Sequence, residues 1–398
     1  MRERAAQELN PEMGRMGAED PSRAFPAEAP SRGDRIYLDD AGSAPVLPEV
    51  REALRDVPDG NPSSPHSEGR ASRAALDRAR DVAAAALGVR RTEVTFVASG
   101  TEAVNLALFG AGARLPNSGR MVTCTAEHQS VLAAVRRMQD MGREVVIAPV
   151  DATATVDVDA ITAGTALVSV GLANNEVGTI QPVADVIARA HDVGALVHVD
   201  ACAGPRWIPI PDGADLISIS GHKLGAGRGG LLFVRDGVRI DPRLYGGPQE
   251  WGRRAGHEDV QSATAVATAL NVCGRDRASR TQAAKVQAEA LQAALLELGG
   301  APTGGKERLP NFATCTFPDR RGEDMLLALD LAGVAASSGS ACASGSLDPS
   351  HVLLAMGLSL EAALGSLRLT TGYPTTDAEI ARTIEILRSV LSRAPSHA

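Results

Sequence analysis

Residues 195–223 read ALVHVDACAGPRWIPIPDGADLISISGHK. Two short apolar runs, ALVHV and LISIS, flank a connection rich in Pro and Gly. Runs of four to eight residues that are apolar almost throughout predict strands covered on both faces, as in a parallel sheet. The first run closes on Asp200 and the second on Ser220-Gly221-His222-Lys223. In open α/β sheets, ligands bind outside the carboxyl ends of the strands. These two endings therefore direct attention to one edge of a sheet.

Working outward, the same pattern recurs. EVTFVAS (93–99), RMVTCT (120–125), EVVIAPV (144–150), ALVSVGL (166–172) and GGLLFVR (229–235) are further strand candidates. Helical spacing over 70–88, 101–112, 129–141 and 183–193 separates several of them. Strands alternating with helices predict an α/β fold with a mostly parallel sheet. After about residue 265 the texture changes. A helix over 276–298, the run NFATCTF, a helix over 323–332, a Gly/Ser loop and a last helix over 376–395 predict a smaller α+β domain. The expected organisation is a flexible N-terminal arm over 1–34 joining the small domain, a large domain over 35–265 and a small domain over 266–398.

A chain of 398 residues has room for two cores. The net charge of -8, with arginines scattered rather than gathered, argues against stable direct binding of nucleic acid. No apolar run reaches membrane-spanning length and no secretory signal is seen, so a cytoplasmic protein is expected. Cys124, Cys202, Cys273, Cys315 and Cys342 are odd in number, widely spaced and without a C-x-x-C pair, which speaks against a disulfide framework or a zinc site. No metal is expected. Only three of the 40 basic residues are lysines, Lys223, Lys285 and Lys306, and only Lys223 follows a strand candidate.

Each strand ending is polar. Ser99-Gly100-Thr101 opens a helix, Glu127-His128 follows the next run, Asn174-Asn175-Glu176 another, and Asp200 and Ser220 to Lys223 complete the set. Singly, each has a bland reading: a helix cap, a surface histidine, a turn. Together they suit one cofactor. A helix N-terminus suits a phosphate, a strand-end carboxylate suits a pyridinium nitrogen, and a nearby lysine can form a Schiff base. Those are the requirements of pyridoxal 5'-phosphate. No G-x-G-x-x-G or Walker A pattern supports a nucleotide instead. Separately, Ser337-Ser338-Gly339-Ser340-Ala341-Cys342-Ala343-Ser344-Gly345 surrounds a cysteine with small polar neighbours, which predicts a reachable thiol.

From about Ile36 to about Arg382 the chain resembles the cysteine desulfurases, in the class V aminotransferase branch of the fold-type I pyridoxal-phosphate enzymes. The resemblance rests on Gly60-Asn61-Pro62-Ser63-Ser64 with His66, Asn174 to Gly178, Val199-Asp200-Ala201, Ser220 to Lys223, the SSGSAC loop, Pro349 to Val352 and Gly365 to Leu369. It implies a large domain with a mostly parallel seven-stranded sheet, a homodimer, and removal of sulfur from L-cysteine to give L-alanine. Lys223 would hold the cofactor and move the Cα proton. Asp200 would pair with the ring nitrogen, and His128 would stack on the ring and act as acid or base. Gly100, Thr101, Ser220 and His222 would hold the phosphate, while Asn175 and Arg368 would take the substrate carboxylate. Cys342 would carry the sulfur to an acceptor protein.

Four features depart from the family pattern, one of them the opening Asp39-Asp40-Ala41-Gly42-Ser43-Ala44-Pro45, which commonly reads Asp-Asn-Ala-Ala-Thr-Thr-Pro. Ala203 stands where a glutamine is common, three residues after the aspartate. His257 stands where a threonine crosses to the partner subunit's phosphate, and could still donate to it. The C-terminus, SRAPSHA, is unlike the tail that docks the iron–sulfur scaffold. A specialised donor, for a thiolated metabolite, tRNA or DNA, is expected over iron–sulfur assembly. The alternatives are a selenocysteine lyase or another class V reaction, and a non-catalytic scaffold that has kept the fold.

Overall fold

The computed structural model describes residues 35–116, 118–339 and 349–392. Cys342 and the arm over 1–34 lie outside the described residues. From Ile36 onward the described residues cluster as one compact unit, which is the unit described below. Its strands in chain order are β1 (Ile36–Tyr37), β2 (Val94–Val97), β3 (Arg120–Cys124), β4 (Val145–Ala148), β5 (Thr165–Gly171) and β6 (Leu196–Asp200). They continue as β7 (Leu216–Ser220), β8 (Gly230–Val234), β9 (Ala301–Pro302), β10 (Phe312–Thr316), β11 (Val334–Ala335) and β12 (Ser366–Thr370).

Seven of them form the main sheet in the order β2-β8-β7-β6-β5-β3-β4. The pairs from β4 to β7 are parallel, whereas β8 is antiparallel to both β7 and β2. Strand β2 therefore runs with the parallel set, and β8 alone is reversed. This geometry brings the carboxyl ends of β2, β3, β5, β6 and β7 to one edge. The sheet is covered on both faces, which explains strands as apolar as LISIS. One face packs on the helices Ser67–Leu87 and Val183–Asp192, through Leu76, Ala83 and Ile187. The other packs on Gly100–Gly112 and Gln129–Asp140, through Leu108 and Val135. Helix Ser67–Leu87 ends where Gly88 takes φ 69°, a left-handed cap that glycine adopts without a Cβ penalty.

A second, antiparallel sheet of order β12-β10-β9 carries Arg368. Its core includes Leu291, Leu295, Phe317, Leu329 and Leu367. The helix expected over 276–298 is longer, running Val260–Glu297 for 38 residues and crossing the position drawn as a domain boundary. It begins where the Asp259 carboxylate accepts the N–H of Ser262. Its first half buries mainly alanines and valines, whose periodic signal is weaker than that of leucines. The other expected helices are present within a few residues, at Gly322–Leu331 and Asp377–Leu391 among them.

Candidate active site

Along the shared edge the strands deliver their side chains into one pocket of about 290 Å³. Gly100, Thr101, His128, Asn175, Asp200, Ser220, His222, Lys223 and Arg368 all line it. His257 does not: it is exposed, and its carbonyl accepts a hydrogen bond from Arg254. The other two lysines, Lys285 and Lys306, are exposed and outside the pocket.

The phosphate end is built by a helix N-terminus. Ser99 caps Gly100–Gly112, its Oγ accepting the N–H of Glu102 at 3.1 Å. Gly100 and Thr101 follow, with N–H groups that no helical carbonyl can take. A Cβ on Gly100 would stand 2.5 Å from Cys202 Sγ and 2.9 Å from Ser220 Cβ, so only glycine keeps this cradle open. Beside it, Ser220 Oγ and His222 Nδ1 are 2.8 Å apart. Burial, reinforced by the Lys223 charge, pushes His222 down to about 4, so its ring is neutral at pH 7.

Lys223 stands on the single turn Gly221–Leu224 directly after β7. Among the described residues its ammonium forms no ion pair. Asp200, at the end of β6, is 6% exposed and accepts the N–H of Cys202 at 3.0 Å. His128 caps helix Gln129–Asp140, with Nδ1 accepting the N–H of Ser130 at 3.1 Å. That bond leaves the proton of a neutral ring on Nε2. Burial first, and then the Lys223 charge, lower the His128 pKa and favour this neutral form.

At the opposite wall Arg368 is 2% exposed and already engaged. Nη1 donates to the carbonyls of Asn175 (2.6 Å) and Gly339 (3.3 Å), and Nη2 pairs with Asp39 at 2.7 Å. Its buried Nε has no partner among the described residues. Asn175 thus touches Arg368 through its backbone, bringing the two expected carboxylate binders together. Asn174, buried behind them, holds the turn by accepting the N–H groups of Glu176 and Val177.

Sequence reasoning passed over other lining residues: Cys124, Glu127, Gln181 and Cys202. Glu127 directly precedes His128, and its sequence setting assigns it no role. The thiols of Cys124 and Cys202 are both raised well above their ordinary range, chiefly by burial, which makes them poor thiolates. Ala203 lines the pocket and also borders an adjoining cavity of about 20 Å³ shared with Lys223, Arg206 and Asn311. Arg206 Nε and Nη2 and Asn311 Oδ1 have no partners among the described residues.

Pyridoxal phosphate fits this donor set. The glycine cradle at a helix N-terminus suits its phosphate, Asp200 its ring nitrogen, and Lys223 its aldehyde. Among the described residues no group of three or more His, Cys, Asp or Glu could hold a metal ion. None of the helices described is long and apolar enough to cross a membrane.

Comparison with known proteins agrees with this arrangement. Residues 36–382 match the family model described as Aminotransferase class-V, and the chain belongs to that family. Its relatives include the cysteine desulfurase of Trichormus azollae, 38% identical over 375 residues that cover 90% of this chain and 93% of the relative. Among solved structures, a NifS-like protein superposes with a TM-score of 0.84 at 29% identity, over 90% of this chain and 99% of its own. SspA in complex with cysteine superposes with a TM-score of 0.74 at 28% identity, over 86% of this chain and all, 100%, of its own.

Proposed function

We propose that the protein is a pyridoxal-phosphate-dependent cysteine desulfurase. It takes sulfur from free L-cysteine, releases L-alanine and leaves a persulfide on Cys342. The observation that carries this reading is the meeting of Lys223, Asp200, His128 and the Gly100 cradle around one pocket, each from a different strand end. When bound, the cofactor supplies an electron sink that loosens bonds at the substrate's α- and β-carbons. Lys223 is available to hold the aldehyde and then to move the Cα proton. Asp200 would hold the ring nitrogen, and His128 would lie against the ring with its Nε2 placed to exchange a proton. Arg368 and Asn175 receive the substrate carboxylate.

The overall reaction balances without an outside oxidant. L-Cysteine and the Cys342 thiol become L-alanine and a Cys342 persulfide, as one C–S bond breaks, one S–S bond forms and Cβ takes a proton. The role of Cys342 rests on its Gly/Ser setting and on the family likeness. A separate acceptor then takes the outer sulfur. The departures at Ala203 and His257 favour a specialised donor. We also infer a cytoplasmic homodimer, with a large cofactor-binding part through residue 265 and a smaller part carrying Cys342. Exposed Leu244, Tyr245 and Trp251 on the segment leading to His257 support an interface there.

Incubating the purified protein with pyridoxal phosphate and cysteine should yield alanine. Mass spectrometry should then find one added sulfur on the peptide carrying Cys342. Cys342→Ser should keep the cofactor and release no sulfur. The extra sulfur on Cys202, or alanine formed equally by Cys342→Ser, would overturn the assignment.

A further inference from the structure

Beside Asp200 the pocket holds a second carboxyl group that the reaction above leaves unused. Glu127 is 5% exposed and lines the pocket three residues beyond the end of β3. Its Oε1 accepts the N–H of Gly171 at 2.8 Å, and Cys124 Sγ lies 3.5 Å from the same oxygen. Gly171 is the register partner of Asp200 across β5 and β6. One backbone N–H therefore ties Glu127 to the strand position next to Asp200. Among the described residues, Oε2 has no hydrogen-bond partner and no Lys, Arg or His is ion-paired with this side chain. His351 reaches only the Glu127 carbonyl, at 3.0 Å. A buried carboxylate with a like charge beside it and no cation bound to it is costly to ionise.

We propose that Glu127 is the proton-holding carboxyl of this pocket, carrying its proton on Oε2 and keeping the Glu127–Asp200 pair at a single negative charge. One negative charge matches one cationic ring nitrogen, so Glu127 acts through Asp200 as a positioning residue. The groups facing it are consistent with this. Burial raises Glu127 to about 8, the Gly171 N–H opposes the rise, the Asp200 charge adds to it, and the Cys124 thiol lowers it slightly. Cys124 itself is raised by burial and so stays neutral. The neighbouring His128 is held neutral by burial and by the Lys223 charge, and brings no cation to the carboxyl.

The sign of the pH effect follows. The folded state keeps a proton that the unfolded chain loses near 4.5, so stability from this group falls as pH rises from there toward 8. The first test uses protein without cofactor and does not depend on the proposed activity. Infrared spectra at pH 7 should show a protonated carboxyl stretch that is absent from Glu127→Gln and fades above pH 8. The melting temperature of the wild type should fall relative to that of Glu127→Gln between pH 5 and pH 8. No such band, a band that survives in Glu127→Gln, or parallel melting profiles would overturn the proposal. The second test rests on the cofactor reading. Glu127→Gln, a neutral isostere, should bind pyridoxal phosphate within about twofold of wild type at pH 7, whereas Glu127→Ala should bind about tenfold more weakly. Equal losses in both variants would remove the positioning role even if the infrared band is present.

Discussion

Adjacent aspartates, Asp39 and Asp40, each pair with an arginine at 2.7 Å, yet the two pairs serve different ends. Asp40 and Arg206 are each 2% exposed, and the guanidinium lies 4.2 Å over the ring of Tyr373 and 5.3 Å from that of Trp207. Burial raises the Asp40 carboxyl despite the arginine beside it. The cavity of about 20 Å³ beside this pair has room for a water but not for a carboxylate. Asp39 is 24% exposed, and its arginine, Arg368, lines the pocket. Here water or an incoming carboxylate can replace the aspartate. Equal distances conceal unequal roles: access to a replacement partner makes one pair structural and the other exchangeable.

That contrast can be broken most forcefully at the buried pair. Asp40→Ala leaves Arg206 buried and uncompensated, which should cost about 3–5 kcal/mol in urea unfolding of the cofactor-free protein. A loss under about 1 kcal/mol would put the pair in the class of surface bridges. Next in size is the exchangeable arginine. Arg368→Lys keeps the charge but loses the two-point fork, so KM for cysteine should rise about 10- to 100-fold while cofactor affinity holds. Unchanged KM would place the substrate carboxylate elsewhere. The smallest effect is expected at Asp39. If this carboxylate competes with substrate for Nη2, Asp39→Asn should lower KM by up to about fivefold, the scale of a partly exposed ion pair. A raised KM would show instead that Asp39 orients Arg368 rather than competing for it.

The sheet and its functional edge were legible because their signals are local. Strands such as LISIS announce double-sided burial, and the polar residues come directly after them. The pairing partners were not legible. Asp39 and Arg368 are 329 positions apart, and Glu127 meets the N–H of Gly171 from 44 positions away. Nothing in the spacing of a chain says which strand ends will be neighbours, and only the order β7-β6-β5-β3 places Glu127 beside Asp200. Glu127 was visible as a strand-end carboxylate, yet a role required knowing that no cation would meet it. The early start of helix Val260–Glu297 was hidden by its alanines, with Asp259 and Ser262 the one local cue to a cap. His257 is exposed and outside the pocket of its own chain, as a residue reaching toward a partner subunit would be.

Helix Val260–Glu297 carries a further consequence. Its first stretch, through Leu270 and Cys273, packs into the core of the main sheet, and Leu291 and Leu295 pack into that of the small one. Between them Gly274, Arg275, Ala278, Ser279, Arg280, Gln282 and Ala283 are exposed. That middle reaches out through Arg280, to the carbonyl and ring of Tyr373, and through Thr281, to the Trp207 carbonyl, and its length matters as much as its side chains. Each residue of an α-helix turns it by about 100° and advances it about 1.5 Å. Inserting one residue there would swing Leu291 and Leu295 out of phase with the core they fill. The segment serves as a gauge of length and rotation between the two cores.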